Sequence, residues 1–371
     1  MKIGTDQYNT FDTMTMDCWN DRVYYEGKEF PAGQFAAEIL NFAGVIHDPL
    51  LERITVLTAL VDDLSTAEKS KRHDIAAQLK PLLHDTVSWL YTCPPFCYCE
   101  SQGAYEDLEH ALSEERLDRD YEEGEAHLPY LALSFCEPIL RILVAIYNFC
   151  LLIRAFEKKY LRGSKRRNAD AFAKAAHECF DEDDSFLILL EQMPFGGVEE
   201  FFSYPRVITG FKYFQDENNE EKWKTAQRVI CKRAIDFYVF DLMNGLHHGH
   251  APSQCQGCGR YFLTTNGHIP KYCDGVAPQD SRYTCRQYGA MMHQKEQNKQ
   301  HPVYRLFNTR TDTIRKHHWR GKISDELRQE ALYLAGNYRD KALMDNDYAA
   351  DGYARDMELE HIYAEAEKRL K

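Results

Sequence analysis

The segment from Cys255 to Cys285 reads CQGCGRYFLTTNGHIPKYCDGVAPQDSRYTC and contains four cysteines spaced C-x2-C-x14-C-x11-C. The segment begins and ends with a cysteine, and the two cysteines between them are Cys258 and Cys273. Two cysteines separated by two residues form a tight knuckle that turns both sulfurs toward one ion, and zinc takes four such ligands in a tetrahedron. The spacing therefore predicts one bound Zn²⁺. Because the protein fills all four ligand positions, we expect this zinc to be structural.

The residues between these cysteines predict a small zinc module. Glycines 257 and 259 allow the backbone conformations that turn amide groups toward the thiolates. An Asn-Gly pair is a strong two-residue hairpin signal. The predicted order is a knuckle, a strand at 261–263, a turn at Asn266-Gly267, a returning strand at 269–273, and a helix at 286–300 that follows Cys285. This is the layout of a treble-clef or ribbon-type finger.

Other ligands and other clusters compete with this interpretation. Four unrelated buried cysteines would also satisfy the pattern, and His268 or His293 could replace one cysteine. Three nearby histidines, His247, His248 and His250, could assist, although such a run is more often an exposed linker. The cysteines at 93, 97 and 99 follow no zinc spacing, and we interpret them as structural residues of a loop.

The run Cys255-x2-Cys258-Gly-Arg-x-Phe, with Lys-Tyr-Cys273-Asp and Cys285-Arg, resembles an uncharacterised bacterial family called domain of unknown function 6076. It is more distantly similar to the CGNR zinc finger, which follows a helical domain in presumed bacterial transcription regulators. The Cys-Gly-Asn-Arg string is absent here, and the last two cysteines are farther apart. The first resemblance implies no known activity, and with these departures DNA binding does not carry over from the second.

Composition limits the class of protein. The chain has 371 residues, of which 44% are hydrophobic, and a formal net charge of −13. That length suggests two or three units with at least one sizeable core. Residues 1–17 are polar, and the most apolar run, 142–153, is too short to cross a bilayer. We therefore expect a cytoplasmic protein.

The charge is distributed unevenly. Residues 255–322 contain 12 lysines and arginines against 4 aspartates and glutamates, a net charge of +8, which leaves −21 for the rest of the chain. A basic segment attached to an acidic body is typical of a protein in which that segment meets a polyanion.

Apolar periodicity predicts a mainly α-helical fold. We expect a helical domain at 1–250 with a small hairpin near 23–30, the zinc module at 251–300, and basic then acidic helices at 301–371. The predicted helices cover, among others, 66–91, 131–160, 169–180, 223–243, 302–319 and 324–344. Ser324 is the predicted N-cap of the last of these.

Nucleic-acid binding is the first functional hypothesis. The expected phosphate contacts are Arg260, Lys271, Arg282, Arg286, Arg310, Arg315, Lys316 and Arg320. The alternative is a protein–protein interaction module in which the finger only braces the fold. No catalytic motif is present in the sequence, so we do not expect an enzyme.

Overall fold

A computed structural model gives the fold of the chain. It describes residues 13–45, 47–119, 121–123, 126–164, 166–191, 206–216, 219–265, 267 and 270–370. The chain divides into two compact units, Met1–Cys273 and Asp274–Lys371. Both are mainly helical in the described residues, which confirms the predicted class.

An antiparallel five-stranded sheet, in the order β3-β2-β1-β7-β6, lies in the first unit. Its strands are β1 (Met14–Trp19), β2 (Arg22–Tyr25), β3 (Lys28–Pro31), β6 (Val207–Asp216) and β7 (Asn219–Cys231). The predicted N-terminal hairpin is confirmed as β2 and β3. Its turn uses Glu26 and Gly27, both at positive φ, which is the backbone conformation of a two-residue hairpin turn.

The helix predicted at 223–243 is wrong over its first half. Strand β7 runs to Cys231, and the helix α9 occupies only Ala234–His247. Val229 and Cys231 are buried on the same side of the sheet as Met14 and Met16, their partners on β1. Pairing with β1 and β6 therefore decides the conformation, because neighbouring strands supply both hydrogen bonds and an apolar face.

The long helix α6 (Tyr130–Phe156), continued by a π-helical turn at Glu157–Leu161, is the centre of the larger core. It confirms the predicted central helix. Tyr130–Leu161 is long and apolar enough to cross a membrane. However, 67% of its most apolar 18-residue stretch is buried within the protein. Such burial is typical of a core helix.

Shorter elements complete the first unit. Its other helices are α1 (Gln34–Val45), α2 (His47–Thr66), α3 (Lys69–Leu90), α4 (Gln102–Ala111), α5 (Glu114–Leu117), α7 (Ala169–Phe180) and α8 (Asp184–Glu191). Two short antiparallel pairs are β4 (Tyr121–Glu123) with β5 (Ala126–Leu128), and β8 (Ala251–Gln254) with β9 (Tyr261–Thr264).

Helices α1 and α9 pack at close range. A Cβ atom on Gly245 of α9 would lie 2.8 Å from the Cα of Gly33, just before α1. One helical turn earlier, the buried Asp241 carboxylate accepts the backbone N–H groups of Gly33 and Ala36, each at 2.9 Å. Burial raises the pKa of Asp241 to about 7, against the opposing effect of these N–H groups. The carboxylate thus caps α1 from a neighbouring helix.

The second unit has a smaller core. It contains β10 (Val276–Ala277), β11 (Asp280–Thr284), α10 (Cys285–Gln300), α11 (Pro302–Trp319), α12 (Asp325–Met344), α13 (Tyr353–Asp356) and α14 (Leu359–Leu370). Ile314, Leu334, Met357 and Ile362 are at its centre. The predicted helices at 302–319 and 324–344 are confirmed, and Ser324 accepts the N–H of Leu327 as an N-cap.

Candidate metal centre

The knuckle at Cys255–Cys258 has the expected geometry. The N–H of Cys255 donates to the carbonyl of Arg260 at 2.8 Å, and the N–H of Gly259 donates to the carbonyl of Cys255 at 2.9 Å. Gly259 has a φ of +73°, a conformation that glycine adopts without a Cβ penalty. The N–H of Gly257 approaches the Cys255 sulfur at 3.4 Å. The backbone therefore already directs a donor at the position of a thiolate.

Strands position the knuckle, but not in the predicted way. Strand β9 pairs with β8, the segment before Cys255, and residues 270–273 form no strand. The predicted hairpin is therefore wrong in its second strand. Asn266 and His268 lie outside the described residues. Asn41 on α1 fixes β9, since its amide accepts the N–H of Tyr261 at 2.6 Å and donates to its carbonyl at 2.9 Å.

Cys273 reaches the knuckle through a backbone contact rather than a strand. The N–H of Gln256 donates to the carbonyl of Lys271 at 2.9 Å, and the N–H of Cys273 points at the Cys255 sulfur at 3.3 Å. The sulfurs of Cys258 and Cys273 are 3.6 Å apart. This approach also brings a second N–H donor to the Cys255 sulfur.

Cys285 is the first residue of α10, as predicted. Thr284 caps this helix: its hydroxyl accepts the N–H of Gln287 at 3.2 Å, and the Gln287 side chain accepts the N–H of Thr284 at 3.0 Å. The N–H of Cys285 donates to the carbonyl of Gly275 at 2.7 Å. A helix N-terminus favours the thiolate form of a cysteine. Thr284-x-x-Gln287 is the sequence signal of a capping box, and it marks this helix start more directly than the cysteine spacing does.

The four cysteine sulfurs lie within 4.8 Å of one another, and all four residues are buried or half-buried. At a Zn–S distance of about 2.3 Å, a tetrahedral site separates its sulfurs by about 3.8 Å. The donor set and its spacing therefore fit one metal ion. Burial opposes ionisation of Cys255, but the N–H groups of Cys273, Cys258 and Gly257 lower its pKa to about 7. The site thus favours thiolate, the form that binds metal.

Those competing ligands that the structure describes are not part of this cluster. Among the residues that the structure describes, only the four cysteines form such a group, and His293 is exposed on α10. His250 is buried, and its Nδ1 lies 2.9 Å from the carbonyl of Ala32. Burial, reinforced by His247, lowers the pKa of His248.

The cysteine-rich loop at 93–99 has a different environment. Cys93 is buried, Cys97 is exposed, and the Cys99 sulfur lies 3.2 Å from the Tyr25 hydroxyl. Burial raises the pKa of all three thiols. The loop therefore favours protonated thiols over the thiolates that a metal requires.

The eight predicted phosphate contacts are almost all at the surface. Arg260 and Lys271 are exposed beside the knuckle. In the second unit, Arg282 pairs with Asp280 on β11 at 2.7 Å, and Arg286 at the start of α10 pairs with Asp274 at 2.9 Å.

The remaining four cations lie on α11 or directly after it, and they differ in exposure. Arg315, Lys316 and Arg320 are exposed, whereas Arg310 is half-buried, and its buried Nε has no hydrogen-bond partner among the described residues. At about 100° per residue, Arg310 lies on the side that carries the buried Ile314. Arg310 therefore does not share the exposed charged face of this helix.

The fold and site define a mainly helical protein with a four-cysteine candidate metal centre. The sequence profile of a family described as a family of unknown function (DUF6076) matches residues 203–369. This match confirms the family resemblance that the cysteine region carries, and it covers the whole candidate centre. No curated protein and no solved structure matches the chain.

Proposed function

We propose that the chain is a cytoplasmic zinc-finger protein that binds nucleic acid, with one structural Zn²⁺ held by Cys255, Cys258, Cys273 and Cys285. The observation that carries the proposal is the convergence of four sulfurs within 4.8 Å. Thiolate ligands favour zinc among the available divalent ions. Because the protein fills all four positions, the zinc braces the fold and we assign it no catalytic step.

The charge distribution supports a polyanionic partner. Residues 255–322 have a net charge of +8 before any metal is counted, while the whole chain is at −13. Four thiolates around one Zn²⁺ contribute about −2, which the neighbouring Arg260, Lys271 and Arg286 offset. The charged face of α11 then remains for phosphate contacts, through Arg315, Lys316 and Arg320.

Salt dependence tests this proposal, because bound phosphates release condensed counterions. We expect the affinity for DNA or RNA, measured by fluorescence anisotropy, to fall steeply with rising salt. Replacing Arg315 and Lys316 by glutamine should reduce the slope of log K against log salt by roughly 1.4 to 1.8. The matched control is Arg141→Gln with Lys174→Gln, two exposed cations of the acidic unit. An equal loss of slope in this control would contradict the assigned contacts.

A second function is favoured by the hairpin of β6 and β7. Phe211, Tyr213 and Trp223 are 73%, 67% and 65% exposed. Phe211 and Tyr213 pair with Gln227 and Thr225, so the three aromatic residues share one face of the hairpin. Such a surface suits a protein partner. If no nucleic acid binds at low salt, the interaction module becomes the better proposal.

A further inference from the structure

A tryptophan lies in solvent on the charged face of α11. Trp319 is the last residue of this helix, and 84% of it is exposed. At about 100° per residue, Arg315 and Lys316 fall on the same side of the helix as Trp319. Arg320 follows Trp319 directly as the C-cap residue and is also exposed. The buried Ile314 faces the opposite side, toward the core. The indole and three cations therefore form one surface.

This surface is rich in positive charge, and the carboxylates at its two ends along the chain, Asp312 and Asp325, are paired. Residues 313–324 contain four lysines and arginines and no aspartate or glutamate. Asp312 pairs with Arg315 at 3.0 Å. At the start of α12, Asp325 lies 2.6 Å from Arg328 and 3.4 Å from His318. Within the described part of the chain, neither Lys316 nor Arg320 forms an ion pair.

The helix dipole explains only part of this arrangement. Cations are favoured near the C-terminus of any helix, which would account for Lys316 and Arg320 without a ligand. The dipole gives no reason to place an indole there, and Trp319 gains almost no burial from its position. An exposed aromatic ring flanked by cations is the combination that binds single-stranded nucleic acid, because unpaired bases stack on the ring while the phosphates meet the cations.

We propose that Trp319 is a stacking platform for an unpaired base of single-stranded nucleic acid, with Arg315, Lys316 and Arg320 contacting the adjacent phosphates. This inference rests on the proposed nucleic-acid binding and names the class of ligand. Duplex DNA offers no free base face at this position, so it should bind through phosphates alone.

Binding to four probes tests the inference with the full chain: oligothymidylate, oligouridylate, an abasic oligonucleotide of the same length, and duplex DNA. We expect Trp319→Ala to weaken binding of the single strands about tenfold and to leave the abasic and duplex affinities unchanged. Trp319→Tyr should restore most of the loss. Tyr333→Ala, which removes another exposed aromatic ring of the second unit, is the matched control and should change none of the affinities.

The outcomes separate this inference from the proposed function. If Trp319→Ala binds oligothymidylate and oligouridylate as the unmodified protein does, stacking at Trp319 is wrong while phosphate binding stands. Equal weakening of the abasic oligonucleotide would also overturn stacking, since that probe has no bases. If the unmodified protein binds none of the four probes at low salt, both the inference and the proposed function fail.

Discussion

The core around α6 and the cysteine segment at 255–285 are organised by different forces. The first buries large apolar side chains completely, among them Phe35, Phe149 and Phe156. In the described part of the second, the buried residues are Cys255, Thr264, Cys273, Ala277 and Cys285. Apolar burial stabilises the first region without any cofactor. The second has too little apolar surface of its own, so three of its five buried positions are thiols suited to a metal.

Metal removal should give the largest effect, because it should destabilise the cysteine segment and leave the core around α6 intact. Structural zinc contributes roughly 10–16 kcal/mol of apparent binding free energy at neutral pH. We expect a chelator to abolish amide hydrogen-exchange protection at Gly259, Cys273 and Cys285, whose N–H groups are bonded within the cysteine segment. Protection along α6 should persist, because its stability comes from apolar packing.

A pair of cysteine variants controls this experiment. Cys258→Ser should reproduce the effect of the chelator, whereas Cys97→Ser removes an exposed thiol outside the cluster and should leave exchange unchanged. Unchanged protection of the cysteine segment after chelation would mean that the segment is stable without metal, and the contrast between the regions would disappear.

In the large core, the buried Asp241 should make the free energy of unfolding depend on pH. The pKa of Asp241 is raised from 3.8 to about 7 in the folded chain, so the folded state holds this proton more tightly than the unfolded state. Its contribution is fully present below about pH 4 and is lost as pH rises through 7. Relative to Asp241→Asn, the free energy of unfolding should therefore fall by up to about 4 kcal/mol between pH 4 and pH 8.

Urea unfolding at several pH values measures this difference. Asparagine cannot accept both the Gly33 and Ala36 N–H groups, so the variant has a constant loss that does not affect the pH slope. Asp63→Asn, at an exposed position of α2, is the control and should run parallel to the unmodified protein. A parallel curve for Asp241→Asn would show that Asp241 titrates near its ordinary pKa.

A side chain added at Gly245, in the same core, should have a smaller effect on the free energy of unfolding. In Gly245→Ala the new Cβ would lie 2.8 Å from the Cα of Gly33 and 3.0 Å from the carbonyl oxygen of Ala32. Since both neighbours are backbone atoms, we expect a loss of about 1–3 kcal/mol in the free energy of unfolding. Gly103→Ala on α4 meets no atom within 4 Å and should be neutral or slightly stabilising. Equal urea midpoints for both variants would contradict this packing.

The contrast also explains what could be predicted from the sequence. The cysteine cluster is encoded by spacing, and helices such as α6 and α11 by apolar periodicity, so both are visible locally. The pattern of 223–231 alone predicts a helix, because the strand β1 that pairs with β7 is about 200 residues away in the sequence. The pairing of β8 with β9, and the capping of α1 by Asp241, likewise depend on residues brought together only by the fold.

Metal stoichiometry of the purified chain, measured by native mass spectrometry together with elemental analysis, tests the central claim most directly. We predict one zinc ion per chain, retained in Cys97→Ser and lost when Cys255, Cys258, Cys273 and Cys285 are all replaced by serine. A chain that folds with no bound metal, or one whose zinc survives replacement of these four cysteines, would contradict the account.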